Sequence, residues 1–142
     1  MKKYKIGYTQ GVFDMFHIGH LNLLKKAKSM CDFLIVGVNS DELVENYKHK
    51  CPLINEKQRK QIVEAIKYVD KCIIVDTLDK ELVWENFKFD VIFIGDDWKG
   101  NDRWIKTEKS LLLHNTKVIY LKYTKGISST LIKEKLEKNT KN

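Results

Sequence analysis

The first predicted strand of this chain leads into the first predicted helix through the stretch Gly11-Val12-Phe13-Asp14-Met15-Phe16-His17-Ile18-Gly19-His20. Before this stretch, the apolar run 4–8 is typical of a short buried strand. After it, Leu21, Leu24 and Ala27 begin an apolar stripe at helical spacing. The segment 9–16 between them is therefore predicted to be a loop at the end of a strand, just where a helix begins.

The same alternation of apolar runs and amphipathic stretches continues along the whole chain. Further strands are predicted at 33–38, 72–75, 91–94 and 118–121, and helices at 17–30, 41–47, 56–69, 82–87, 104–113 and from Ser128 to about Leu136. Continuous apolar strands that alternate with helices indicate a parallel sheet covered on both faces. We therefore expect one α/β domain over residues 1–142, a single Rossmann-like doubly wound parallel sheet, with 138–142 as a frayed tail.

The two histidines of the opening stretch are the strongest candidates for chemistry. His17 and His20 fall in the first turn of the predicted helix, where free backbone N–H groups and the helix dipole favour an anion. Their imidazoles add donors and can carry charge near neutral pH, while Gly19 permits close approach to the backbone. A phosphate clamp is the favoured interpretation. A surface helix cap is the plainer alternative, and zinc ranks lower because no third ligand lies at a typical spacing.

Composition excludes several other classes of protein. The 142-residue chain has a formal charge of +7, but only two of its 26 basic residues are arginines, and the aromatic residues do not alternate with basic ones as on a nucleic-acid surface. The three cysteines are irregularly spaced, which argues against a disulfide framework. No apolar run is long enough to cross a bilayer, and a signal peptide is not evident. We expect a cytoplasmic protein that binds neither nucleic acid nor membranes.

Three motifs together resemble the cytidylyltransferase family of nucleotidyltransferases. The stretch 11–20 is similar to the family's first signature, which contains an HxGH motif, and 124–130 (TKGISST) is similar to its RTEGISTT segment. The third, Gly95-Asp96-Asp97-Trp98-Lys99-Gly100, is similar to the glycerol-3-phosphate branch of bacterial enzymes. Taken alone, 124–130 is more typical of an ordinary helix N-cap, and for 95–98 a turn after a strand is the plainer alternative. The resemblance runs in the expected order from about Lys5 to Leu136.

The resemblance implies transfer of CMP from CTP to a small phosphorylated alcohol, with release of pyrophosphate. The acceptor it favours is glycerol-3-phosphate, and the product would be a precursor for a cell-surface polymer. Mg²⁺ would accompany the triphosphate without a dedicated protein cage. A cytoplasmic homodimer is implied as well.

The resemblance also implies which residues take part. The catalytic residues would be His17, His20 and Lys50, and Lys48 and Lys80 would bind the acceptor. Nucleotide contacts would come from Gly11, Val12, Phe13, Gly19, Asp97, Thr124, Gly126, Ile127, Ser128, Ser129 and Thr130. Because the attacking phosphate is already ionised, Asp14 is expected to orient the loop or a histidine and not to act as a base.

The chain departs from the family pattern at several positions. Tyr123 and Lys125 stand in place of the arginine and glutamate of RTEG, and Lys67 replaces another arginine. A planar guanidinium that binds phosphate is not equivalent to a lysine or a tyrosine. The segment 101–115 is longer than in the glycerol-3-phosphate branch and contains Arg103, which we expect to supply the missing guanidinium over the crevice. Arg59 and Asp70 match positions of the family pattern, and a structural role is the alternative for each: Arg59 would pair with a carboxylate, and Asp70 would cap the following strand.

Other functions stay open at this point. The acceptor could be phosphocholine, phosphoethanolamine or another polyol phosphate, and an adenylyltransferase is a further alternative. Outside enzymes of this class, the HxGH motif also fits an RNA-binding module related to aminoacyl-tRNA synthetases. The departure at Tyr123 would fit a regulatory module that binds a nucleotide without catalysis.

Overall fold

The computed structural model describes residues 3–122 and 128–140. Five parallel strands form one sheet in the order β3-β2-β1-β4-β5. The strands are β1 (Tyr4–Gly11), β2 (Cys31–Asn39), β3 (Lys71–Val75), β4 (Val91–Gly95) and β5 (Lys117–Leu121). The helices are α1 (Ile18–Ser29), α2 (Asp41–Lys48), α3 (Glu56–Glu64), α4 (Lys80–Phe87), α5 (Asp102–Leu112) and α6 (Ser129–Thr140), with a short 3-10 helix at Asp96–Trp98.

Two hydrophobic clusters cover the two faces of this sheet. On one face, α1 and α3 contribute Leu24, Ala27 and Val63 to a cluster with the strands. On the other face, α4 and α5 contribute Val83, Trp104 and Leu111. The predicted doubly wound, Rossmann-like α/β fold is therefore confirmed, and the strand order reverses between β1 and β4. In such sheets a ligand binds beyond the carboxyl ends of the strands at this reversal.

The structure moves several predicted boundaries. The segment 9–11, predicted as loop, continues β1, because Thr9, Gln10 and Gly11 pair with Val36, Gly37 and Val38 of β2. The predicted helix 56–69 ends at Glu64, because the amides of Ala65, Ile66 and Val69 bond carbonyls three residues back and tighten the chain into turns. The last helix does not end near Leu136, because α6 continues to Thr140.

In residues 3–122 and 128–140, no helix is both long and apolar enough to span a bilayer. None of the three cysteines, all of which lie in the described residues, forms a disulfide: Cys31 and Cys72 are buried, and Cys51 is exposed.

Candidate active site

The two histidines of the opening stretch lie together at the start of α1, beyond the carboxyl end of β1. His17 is the N-cap residue and His20 the third helical residue, and their rings stack with centroids 3.8 Å apart. The His17 Nδ1 accepts a hydrogen bond from the Gly19 amide (3.1 Å), and the His20 Nδ1 accepts one from the His17 amide (3.2 Å). The two imidazoles thus form a reciprocal capping box, in which the amides of His17 and Gly19 are already engaged.

This geometry fixes the protonation of both rings. A neutral imidazole that accepts at Nδ1 carries its proton on Nε2, so each ring offers one N–H donor. Burial, followed by the charge of His17, lowers the pKa of His20 to about 3, and burial lowers the pKa of His17. The acceptor role of each Nδ1 therefore contradicts the expectation that the pair carries charge near neutral pH, and of the first amides those of His17 and Gly19 are already engaged. The two Nε2–H groups take over the role of donors.

Asp14 fixes the loop that precedes the histidines. Its buried carboxylate accepts hydrogen bonds from the amides of Leu53 (2.9 Å) and Ile54 (3.0 Å) and pairs with the Lys133 ammonium (2.9 Å). Burial favours a higher pKa for Asp14, but the hydrogen bonds from Leu53, Lys133 and Ile54 outweigh it and lower the pKa. Asp14 therefore acts as an ionised anchor for the loop, as predicted from the sequence, and it ties the loop to α6.

Arg59 on α3 joins the carboxyl ends of two strands. The side chain is fully buried and donates to the carbonyls of Ile54 (2.8 Å), Val12 (2.7 Å) and Asn39 (2.8 Å). Its fourth hydrogen bond goes to the Asp41 carboxylate at 2.6 Å. The predicted structural role with a carboxylate partner is confirmed. As a consequence, the Val12 carbonyl already accepts a hydrogen bond from Arg59, although Val12 lies in the segment expected to contact the nucleotide.

Asp70 plays the corresponding role at the opposite edge of the sheet. Its carboxylate accepts from the Leu34 amide (2.8 Å) and pairs with Lys28 (2.5 Å), while its own amide donates to the Leu34 carbonyl. The prediction that Asp70 caps the following strand is confirmed. This residue stabilises β3 and takes no part in the candidate site.

The second predicted phosphate segment lies only partly within the described residues. Thr124, Gly126 and Ile127 fall outside them, as does Tyr123. The Ser128 hydroxyl accepts from the Leu131 amide at 3.0 Å, which confirms the predicted cap of the last helix. The Ser129 hydroxyl donates to the Asp14 carbonyl, so it joins α6 to the histidine loop. Thr130 is exposed.

One group of cations is formed by Lys48, Lys50 and Lys133, of which Lys133 pairs with Asp14. Lys48 is exposed at the end of α2, and its pKa is lowered by partial desolvation and by the positive charges of Lys133 and Lys50. Lys48 lies on α2, Lys50 in the loop that follows it, and Lys133 on α6. The nearby carboxylate that favours the charged form of Lys48 is that of Asp14. An anion that enters here meets several positive charges together. Lys133 was not identified from the sequence, because in so lysine-rich a chain only its tertiary contact distinguishes it.

A second group of cations forms on the other side of the crevice. Lys80 is buried at the start of α4, donates to the Leu78 carbonyl (2.8 Å) and lies 5.1 Å from the centre of the Trp104 ring. Desolvation and the nearby charge of Arg103 lower the pKa of Lys80 to about 8. The exposed Arg103 guanidinium lies 5.3 Å from the centre of the Trp98 ring. The predicted acceptor-binding residues Lys48 and Lys80 therefore belong to two separate groups, and Arg103 joins the second.

The 3-10 helix after β4 forms the remaining rim. Asp97 is exposed there, beside Trp98, which is 39% exposed. Asn101 caps α5 through the Arg103 amide (3.0 Å), so the start of this helix holds Arg103 next to Trp98. The longer segment 101–115 thus forms α5, as its sequence pattern predicted.

Comparisons with known proteins agree with this geometry. The family profile described as Cytidylyltransferase-like matches residues 8–135. The chain is 41% identical over 129 residues to glycerol-3-phosphate cytidylyltransferase of Staphylococcus aureus, covering 90% of this chain and 92% of that protein. It is 37% identical over 135 residues to the Bacillus subtilis enzyme of the same name, covering 90% and 94%. A solved lipopolysaccharide core biosynthesis protein from Thermoplasma volcanium matches with a TM-score of 0.74 at 27% identity, over 85% of this chain and 98% of that one.

Proposed function

Because this chain belongs to the cytidylyltransferase-like family, we propose that it transfers CMP from CTP to glycerol-3-phosphate, giving CDP-glycerol and pyrophosphate. The observation that carries the proposal is the stacked His17–His20 pair at the start of α1, which offers two neutral Nε2–H donors. The reaction brings two anions together, so catalysis consists largely of charge stabilisation and alignment. A site of fixed donors and cations supports this requirement.

In this reaction, an oxygen of the acceptor phosphate attacks the α-phosphorus of CTP. The new P–O bond forms while the bond from the α-phosphorus to the bridging oxygen of pyrophosphate breaks, and pyrophosphate leaves with that electron pair. His17 and His20 would donate to the triphosphate through Nε2–H, because the Nδ1 of each ring already accepts a hydrogen bond from a backbone amide. Lys48, Lys50 and Lys133 would hold the departing charge, while Lys80 and Arg103 would hold the acceptor phosphate.

We also propose that Mg²⁺ enters with the triphosphate. Among residues 3–122 and 128–140, no group of three His, Cys, Asp or Glu side chains is arranged to hold a metal ion. Phosphate oxygens and water, which are ordinary Mg²⁺ ligands, would therefore supply most of its coordination. Bound in this way, Mg²⁺ would reduce the negative charge of the triphosphate.

The setting and assembly of the protein are also part of the proposal. Three cysteines that form no disulfide support a reducing compartment, the cytoplasm. A homodimer is proposed from the family resemblance and from the frequency of two-fold assemblies. Sedimentation analysis of the purified protein would test it.

Pyrophosphate release tests the reaction. The wild-type protein would be assayed with CTP or ATP, Mg²⁺, and a panel of acceptors: glycerol-3-phosphate, glycerol-2-phosphate, phosphocholine and phosphoethanolamine. We expect release with CTP and glycerol-3-phosphate, and loss of release in His17→Ala. A preference for ATP, or for a cationic acceptor, would contradict the proposal. CTP binding without release for any acceptor would instead support a regulatory module.

A further inference from the structure

A buried chain of polar side chains crosses the carboxyl ends of β1 and β2. The Tyr8 hydroxyl donates to the Gln10 amide oxygen at 2.5 Å, and the Gln10 Nε2 donates to the Asn39 Oδ1 at 2.9 Å. The Asn39 Nδ2 in turn donates to the Tyr47 hydroxyl at 3.2 Å. Tyr8, Gln10 and Asn39 are buried, whereas Tyr47 on α2, the last side chain of this series, is partly exposed. Polar atoms in the core are thus connected to the crevice.

The backbone carbonyl of Thr77 fixes the direction of the hydrogen bonds in this series of side chains. The Gln10 Nε2 also donates to the carbonyl of Thr77 at 2.9 Å. A carbonyl only accepts, so the Gln10 NH₂ group must face Thr77 and Asn39, and its oxygen must face Tyr8. The oxygen of Asn39 then receives a Gln10 hydrogen, and its NH₂ group must face Tyr47. Flipping Gln10 would set its oxygen against the Thr77 carbonyl, and flipping Asn39 would set its NH₂ group against that of Gln10.

As a consequence, the Tyr47 oxygen is an acceptor toward the interior. Its own O–H proton therefore points elsewhere, and no described residue provides an acceptor for it. The loop before α4 brings Tyr47 and Lys80 together, because Gln10 at the other end of the Asn39 hydrogen bond donates to the Thr77 carbonyl and Lys80 donates to the adjacent Leu78 carbonyl. The charge of Arg103 acts on both side chains. Among the described residues, the Arg103 guanidinium makes no ion pair or hydrogen bond, and its ring contact is with Trp98. The three side chains thus all present donors to the same part of the crevice.

A site lined by hydrogen-bond donors suits a ligand that accepts hydrogen bonds. We propose that Tyr47 is a specificity-determining residue, whose hydroxyl donates to the acceptor phosphate as a third donor beside Lys80 and Arg103. This inference rests on the proposed function and deepens it. A phosphate monoester has oxygens that accept from all three, whereas a trimethylammonium or ammonium group near two cations is repelled. Gln10 and Asn39 are positioning residues, because they act through Tyr47.

The first test replaces the hydroxyl alone. In Tyr47→Phe we expect the KM for glycerol-3-phosphate to rise about tenfold, as for loss of one hydrogen bond to a charged group. The KM for CTP should stay unchanged, because the triphosphate is assigned to the histidines. Tyr68→Phe is the matched control, since Tyr68 is also a partly buried tyrosine but precedes the amino end of β3. Its kinetics should match those of the wild type.

The second test reverses the direction of the last hydrogen bond. The aspartate side chain in Asn39→Asp only accepts hydrogen bonds, so the Tyr47 hydroxyl must donate to it. The hydroxyl can then no longer donate to the acceptor phosphate. We expect the same rise in the KM for glycerol-3-phosphate, although the hydroxyl is still present. A role in folding alone would not move this constant while sparing the KM for CTP. If Asn39→Asp does not fold, Tyr47→Phe decides the question.

The outcomes separate the inference from the function on which it rests. A wild-type protein that releases no pyrophosphate with glycerol-3-phosphate overturns the proposed function, and the inference with it. A wild-type protein that turns over, together with an unchanged KM for glycerol-3-phosphate in Tyr47→Phe, overturns the inference alone. An equal rise in both KM values also overturns it, because the hydroxyl would then serve the whole site.

Discussion

The imidazole of His17 accepts the Gly19 amide hydrogen at 3.1 Å, while the His20 ring, stacked on it, accepts the amide hydrogen of His17 itself at 3.2 Å. Each ring therefore has a structural nitrogen, Nδ1, and a nitrogen left for a ligand, Nε2. Within each histidine, Nδ1 caps the helix and Nε2 is the nitrogen proposed to bind an anion. Substitutions that keep one nitrogen's role and remove the other's can test them independently.

His17→Asn keeps an acceptor close to the position of Nδ1 but removes the Nε2–H donor. We expect kcat to fall about 100-fold to 1000-fold, as for loss of one transition-state donor. Stability should stay close to the wild type, because the cap persists. His17→Ala is the control: it should lose similar activity and also about 1 kcal/mol of stability with the cap. Equal loss of stability in the two variants, measured by urea unfolding, would contradict this separation.

Stability should depend on pH through His20. Burial and the charge of His17 lower the pKa of His20 from 6.5 to about 3. Above pH 6.5 both states hold a neutral ring, so this contribution is fully present. Between 6.5 and 3 the unfolded chain takes up the proton first, and stability is lost by at most about 1.4 kcal/mol per pH unit.

His20→Asn removes the titrating group while keeping an acceptor for the His17 amide. The free energy of unfolding should therefore fall less steeply between pH 6.5 and 4 in this variant than in the wild type. Urea unfolding at several pH values measures both slopes, and subtracting them cancels the carboxylates that the proteins share. Identical slopes would show that burial does not lower the pKa of His20.

The fold was predictable because its signal is local. Apolar runs and amphipathic stretches identified the five strands and six helices of the described residues, and Ser128 marked the start of the last helix. Boundaries were less predictable, because they depend on partners elsewhere in the chain. Gln10 and Gly11 have no apolar strand pattern and are held in β1 by pairing with β2.

The candidate site was predictable only where motif and chemistry coincide. The histidines, Asp14 and Arg59 have roles that residue type and position suggest. The charge of the histidines was predicted wrongly, because it depends on which ring nitrogen meets a backbone amide. Lys133 and Tyr47 were missed, because their partners Asp14 and Asn39 are brought to them by tertiary structure.

The ion pair between Lys133 and Asp14 should stabilise the contact of α6 with the histidine loop. Lys133→Met should cost about 1.5–3 kcal/mol at pH 7, because a buried carboxylate loses a charged partner while keeping two amide donors. The pKa of Asp14 is lowered from 3.8, so the difference from wild type should shrink as pH falls below that value. Lys135→Met, on the exposed side of the same helix, is the control. Equal effects of the two substitutions would contradict the prediction.

Arg103 should matter to turnover more than its exposed position suggests. Arg103→Ala should lower kcat/KM for glycerol-3-phosphate about 100-fold, by analogy with removal of one transition-state donor. Lys106→Ala removes a positive charge one turn later on the same exposed helix surface and should change little. Pyrophosphate release measures both. Wild-type kinetics in Arg103→Ala would show that α5 does not supply the guanidinium missing at Tyr123.

Arg59 should be essential for stability, because no other residue type can reproduce its contacts. In Arg59→Lys one ammonium replaces a planar group that reaches three carbonyls and Asp41, so buried acceptors are left unpaired. We expect a loss of about 3–5 kcal/mol in the free energy of unfolding. Lys60→Met on the same helix breaks only the surface pair with Glu64 and should cost less than about 1 kcal/mol. Were Arg59→Lys as mild as Lys60→Met, the carboxyl ends of β1 and β2 would have to be held together by the sheet alone.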